Sequence, residues 1–171
     1  MPVTSRSRIV VRLGTADELS EAESVWRESV TARDRRPPSW EVIDAVRTVL
    51  RDAASQLFVA ERDGRLVGIA CATPARDEKG AATPGVTHIQ MIFVRAEHWG
   101  RGIGGRLLDA VIDDARRRRM HAAQLWVLEN NEAATRLYAD RGFSHSGRVV
   151  EENGALIGLW MRSLGSSEEP G

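Results

Sequence analysis

The segment from Ile89 to Ala115 constrains this chain most. Ile89–Val94 is an apolar run with strand character, and it enters the turn Gly100-Arg101-Gly102-Ile103-Gly104-Gly105. The turn opens directly onto a helix with Ile103, Leu107, Leu108, Val111, Ile112 and Ala115 on one face. The first amides of a helix have no intrahelical partner, and glycine backbone lets a ligand come close. Such a turn attracts anions. The segment therefore reads as a phosphate site, in a chain that mixes strands with helices.

The rest of the chain continues this pattern. The stretch from Arg8 to Leu13 is read as a first strand, and Thr15-Ala16-Asp17-Glu18 forms a capping box before a helix with Leu19, Ala22, Trp26 and Val30 on one face. A charged, proline-broken loop is expected from Thr31 to Pro38, and Ser39 caps a second helix. Leu57–Glu61 and Leu66–Thr73 read as a hairpin around Asp63-Gly64. A polar loop is expected from Pro74 to Gly85, then a strand over Thr87–Val94. Ala123–Leu128 is the next strand. Asn130 or Asn131 caps a short helix that ends at Gly142, and two strands follow, from Phe143 and over Ala155–Leu164. Antiparallel strands first, then strand–helix–strand units, imply an α/β chain with a mixed sheet. A single domain is expected over 4–164, with a disordered tail at 165–171.

Composition excludes several classes. Equal numbers of basic and acidic residues give a formal net charge of zero, which argues against broad nucleic-acid or membrane binding. Arg116–Arg119 reads as a solvated helix end rather than a nucleic-acid patch. The single cysteine, Cys71, excludes an internal disulfide or a cysteine zinc cluster, and its apolar neighbours suggest a buried thiol. With no leader-like segment and no long apolar run, the expected location is cytoplasmic.

The glycine turn matches G-x-G-x-x-G literally, yet it lies mid-chain and no acidic residue occurs between Met120 and Leu128, against a dinucleotide site. Nor does it hold the Gly-Lys-Ser/Thr of a Walker loop. The bland alternative is glycine for tight strand–helix packing alone.

Three elements taken in order resemble the GNAT superfamily of acyl-CoA-dependent N-acetyltransferases. They are the strand Ile89–Val94 with Gly102-Ile103-Gly104 and Leu107-Leu108, then the strand Gln124–Leu128, then Asn131 through Leu137-Tyr138 with Gly142-Phe143. The resemblance covers about Ile9 to Leu164. One departure is Trp99, where the family motif has Gln or Arg. The resemblance implies a mostly antiparallel twisted sheet, splayed at the coenzyme site and flanked by about four helices. It implies acetyl-CoA as co-substrate and no metal. The pyrophosphate would lie on the amides of Gly100, Arg101, Gly102, Ile103, Gly104, Gly105 and Arg106, with Arg101 and Arg106 adding charge. The pantetheine arm would pair with Ile92, Phe93 and Val94 and contact Asn131.

Tyr138 matches the family's general acid. The base is open between His88, Glu129 and solvent. Each of these residues also has an ordinary reading: Tyr138 as a half-buried aromatic, His88 as a strand histidine, Asn131 as a helix cap. The implied partner is a small-molecule or amino-acid-like amine, walled by Arg33, Arg35, Arg36, Trp40, Trp126 and His145. Trp26, Trp40 and Trp126 read as core before cage. Two alternatives stay open, a coenzyme-binding sensor without turnover and a protein N-terminal acetyltransferase. The family often forms homodimers, to which Ala155–Leu164 could contribute.

Overall fold

A computed structural model describes residues 7–165. Its elements are β1 (Val10–Leu13), α1 (Leu19–Asp34), α2 (Trp40–Arg51), β2 (Gln56–Arg62), β3 (Arg65–Arg76), β4 (Ala82–Val94), α3 (Ile103–Arg117), β5 (Ala122–Leu128), α4 (Glu132–Asp140), β6 (Ser144–Glu152) and β7 (Ala155–Ser163). The strands are ordered β1-β2-β3-β4-β5-β7-β6 in one sheet. Strands β1/β2, β5/β7 and β6/β7 run antiparallel, whereas β4/β5 is parallel. A parallel pair needs a crossover, and α3 supplies it. The mixed α/β architecture with four α-helices is the one the sequence implies. The tail expected at 165–171 lies, beyond Gly165, outside the described residues.

Two-residue turns set the hairpins. Asp63 and Gly64 have φ of 52° and 77°, and Asn153 and Gly154 have 51° and 78°. Both central residues are left-handed, the form whose twist suits a tight hairpin. The segment expected as a loop from Pro74 to Gly85 is mostly strand. Asp77 makes the turn compact: its Oδ1 accepts the N–H groups of Lys79 and Ala81 at 2.9 Å, and its own N–H donates to the Ala81 carbonyl at 2.8 Å. Similarly, α1 runs on to Asp34 through the expected loop start at Thr31. Nothing in Thr31–Asp34 breaks a helix, and left-handed Arg35 (φ 56°) ends it ahead of Pro37.

The chain forms two compact units. One runs to Cys71 and resumes over Met91–Ala110; the other comprises Ala72–Gln90 and the chain from Val111 on. In the first, Ala22, Val25, Trp26 and Val30 of α1 pack with Leu50, Leu57, Val59, Leu66, Ile69 and Cys71. Burying side chains of this size contributes roughly 1.5–3 kcal/mol each. Gly68 on β3 seats the start of α3: a Cβ there would come within 3.1 Å of Leu107 Cδ1 and 3.2 Å of Ile103 Cγ2. In the second unit, Ala75, Val86 and Ala122 cluster, and Leu125, Val127, Phe143 and Leu159 are also buried. Among the described residues no helix is long and apolar enough to cross a membrane.

Candidate active site

In the first unit, the end of β4 is tied down before the chain turns. The Val94 carbonyl accepts the Trp99 indole N–H at 2.7 Å and the Ser29 hydroxyl at 2.9 Å. Arg95 is 3% exposed; its main-chain N–H donates to Val67 O at 2.9 Å, its Nε to Leu66 O at 2.8 Å, and its guanidinium pairs with Glu28. Trp99, the departure from the family motif, is thus a strut between strand and turn. Between them, in a short 3₁₀ turn (Ala96–His98), His98 Nδ1 is shielded and has no partner among the described residues. Burial first, then Arg101, holds the His98 imidazole below its usual pKa.

Gly100 and Gly102 have φ of 73° and 76°, and a Cβ at either would face open space. These positions need glycine for their backbone, not for packing. The Arg106 N–H donates to the Gly102 carbonyl at 3.1 Å as the first bond of α3, so the amides of Ile103, Gly104 and Gly105 precede the helix's own ladder. At Gly104 a Cβ would meet only Ile92 Cγ2, at an ordinary 3.9 Å. Close to the turn, packing asks for glycine at Gly68 in β3, where a Cβ would come within 3.1 Å of Leu107 Cδ1. Arg101 is exposed, while Arg106 Nη2 donates to Ile9 O at 3.1 Å.

In the second unit, His88 pairs with Gln124 at the last position of the parallel ladder. Its Nδ1 lies 3.3 Å from Gln124 Nε2, and burial pushes its pKa down to about 4. It is therefore neutral at pH 7 and a weak base. Asn131 caps α4, its Oδ1 accepting the Ala134 N–H at 3.1 Å, which leaves its amide hydrogens for another group. Tyr138, on α4, meets Phe143 edge-on at 6.0 Å between centroids. Burial raises its phenol above the usual value, which keeps the proton on at neutral pH. Glu129 follows β5 directly, and its Oε1 lies 2.7 Å from His145 Nε2.

The residues expected to wall an acceptor divide. Asp34, Arg36, Pro37, Pro38, Ser39 and Val42 line a cleft of about 370 Å³ at the α1–α2 connection. Arg33 is held by Asp34 and lies 6.0 Å from the Phe93 ring centroid. Trp26 is core, but Trp40 is 64% exposed under the Arg47 guanidinium, so the core reading fails there. In the second unit, Trp126 carries Arg148 at 5.3 Å. The contacts of Arg95 and Gln124 were not legible, because their partners Leu66, Glu28 and His88 lie far away in sequence.

Residues 18–143 match the profile of the acetyltransferase (GNAT) family. The chain belongs to this family. Among GNAT relatives it is 29% identical over 105 residues to an L-methionine sulfoximine/L-methionine sulfone acetyltransferase of Salmonella typhimurium, covering 61% of this chain and 59% of that protein. The chain thus spans less than two thirds of that relative. It is 26% identical over 138 residues to the L-amino acid N-acyltransferase MnaT of Escherichia coli, covering 81% and 74%. The GNAT fold is also that of PaiA N-acetyltransferase from Thermoplasma acidophilum, solved in complex with coenzyme A, with a TM-score of 0.68 at 15% identity over 91% of this chain and 99% of that one.

Proposed function

We propose that this chain is an acetyl-CoA-dependent N-acetyltransferase that modifies a primary amine on a small, amino-acid-like acceptor. One observation carries the proposal: left-handed Gly100 and Gly102, with open space on their Cβ side, lead into amides of α3 that no helical carbonyl uses. That is a cradle for a phosphate, and it fits the pyrophosphate of coenzyme A. Family membership and the coenzyme-bound relative in fold support the same donor. The activities for which the Salmonella and Escherichia relatives are named support the acceptor class. The profile runs through residues of both units, which supports reading 4–164 as one transferase domain.

In this reading Gly100 to Arg106 hold the pyrophosphate, and Arg101 adds charge. Ile92, Phe93 and Val94 offer main-chain groups to the pantetheine arm, and Asn131 offers its free amide hydrogens. The thioester supplies an activated acyl carbon. An amine attacks it, and the bond to sulfur breaks. Backbone N–H donors stabilise the oxyanion. Tyr138, still protonated at neutral pH, gives its proton to the departing thiolate. The depressed pKa of His88 disfavours it as the base and shifts that role toward Glu129 or solvent.

The test is thiol release from acetyl-CoA across L-amino acids, L-methionine sulfone, a polyamine and an alanine-terminal peptide. Turnover with an amino-acid-like amine is expected. Acetyl-CoA that neither binds nor raises Tm would overturn the reading.

A further inference from the structure

A second cluster lies wholly in the second unit, around a gap in β7. Gly158 stands opposite Val127 on β5 and Val149 on β6. A Cβ at this position would overlap Glu129 Oε1 and stand 2.6 Å from His145 Nε2. The missing side chain is the space in which these two groups meet. Their contact is 2.7 Å, and both side chains are about one-third exposed.

The imidazole is fixed from its other side as well. β6 has an irregularity between His145 and Val149, where Gly147 takes φ of 89°. The Gly147 N–H leaves the ladder and donates to His145 Nδ1 at 2.8 Å. An N–H can donate only to a lone pair, so the ring hydrogen lies on Nε2 and donates to Glu129. The Trp160 ring abuts the imidazole edge-on at 5.7 Å between centroids. Both ring nitrogens are committed, so His145 is not a free base. What it does is hold a carboxylate. Glu129 Oε2 takes no hydrogen bond from the described residues. The nearby Arg148 is engaged by Glu78 at 2.8 Å and by the Trp126 ring.

We propose that Glu129, held by His145 in the gap left by Gly158, receives the ammonium group of the acceptor on Oε2, with His145 as a positioning residue. A fixed, half-shielded carboxylate with one bare oxygen matches a cation with N–H donors and repels an anion. The assignment rests on the N-acetyltransferase reading, and Glu129 leads within two residues to Asn131, the cap of α4.

Four variants separate this role from packing. Glu129→Gln is expected to raise acceptor KM about tenfold or more with acetyl-CoA KM unchanged. Gly158→Ala should do the same, because the added methyl group overlaps the end of the Glu129 side chain and crowds His145 Nε2 at 2.6 Å. His145→Gln can both donate to Glu129 and accept from Gly147, so it should keep KM within about twofold. His145→Leu can do neither and should match Glu129→Gln. Equal losses in His145→Gln and His145→Leu, or an unchanged KM in Glu129→Gln, overturn the proposal. A readout independent of turnover is the His145 ring and Gly147 amide NMR shifts during titration with propylammonium. Movement in the wild type that vanishes in Glu129→Gln supports the site; no movement overturns it. Absence of turnover with every amine is a failure of the enzyme reading alone.

Discussion

The indole N–H of Trp99 donates to the main-chain carbonyl of Val94 across 2.7 Å, so the residue before the glycine turn is anchored to the last residue of the strand that enters it. Trp99→Phe keeps a ring on a half-exposed surface and removes only this bond. A hydrogen bond of this kind contributes about 1 kcal/mol. The expected result is Tm lower by about 2–4 °C and acetyl-CoA binding weaker by up to about fivefold, read by calorimetry. Unchanged affinity would show that the strut does not hold the cradle.

Gly104 and Gly102 separate stability from binding. Gly104→Ala adds a methyl group in ordinary contact distance of Ile92 and removes a poor helix former, so stability should hold or rise by up to about 1 kcal/mol. The same methyl group crowds amides assigned to the pyrophosphate, and acetyl-CoA affinity should fall at least tenfold. Gly102→Ala must adopt φ near 76° and should lose about 1–2 kcal/mol in urea unfolding. A Gly104→Ala protein with undiminished affinity would return the turn to a purely structural role.

Arg95 holds the turn from below. Arg95→Met keeps much of the volume and leaves the Leu66 carbonyl without its side-chain donor. Glu28, being 55% exposed on its side chain, can turn to water. The expected destabilisation is about 2 kcal/mol by denaturant midpoint. A loss under about 0.5 kcal/mol would mean that the carbonyl finds another donor.

His88 makes stability depend on pH. Its folded pKa is about 4, against 6.5 for the ordinary group, so the unfolded chain takes up the proton first on acidification. Its contribution is complete above pH 6.5 and is lost as pH falls from there toward 4. Between pH 7.5 and pH 5 the linkage amounts to about 2 kcal/mol. Urea unfolding at the two pH values should show this difference in the wild type and lose it in His88→Leu. An equal difference in both proteins would assign the acid sensitivity elsewhere.

Tyr138→Phe keeps the edge contact with Phe143 and removes the phenolic proton. A positioned acid contributes roughly a hundredfold or more in rate. kcat should fall by about that factor while acetyl-CoA KM stays within twofold. Full activity in the variant would leave protonation of the thiolate to solvent.

The strands and helices were legible because local chemistry agrees with the fold over most of the chain. Ile103, Leu107, Leu108, Val111, Ile112 and Ala115 repeat with helical period, and every one is buried. Asp63-Gly64 announced its hairpin, and Asn153-Gly154 carries the same turn chemistry before β7. The stretch from Pro74 to Gly85 misled, because the bond set of Asp77 closes a turn that hydrophobicity does not register. The turn of the proposed site was legible in its backbone conformation, where Gly100 and Gly102 are left-handed. Its supports were not. Arg95, Gln124 and the Glu129–His145 contact depend on residues distant in sequence, and no local pattern encodes which polar side chain a strand neighbour will meet.

Gly68 carries a last consequence. Helix α3 rests its first turns on β3 where that residue offers no side chain, and the same end of the helix bears the free amides. The height at which those amides stand above the sheet is therefore written into β3, far upstream of the turn. A methyl group at 68 would act like a shim under a beam. It would lift the proposed pyrophosphate site off its seat while leaving every residue of that site as it was.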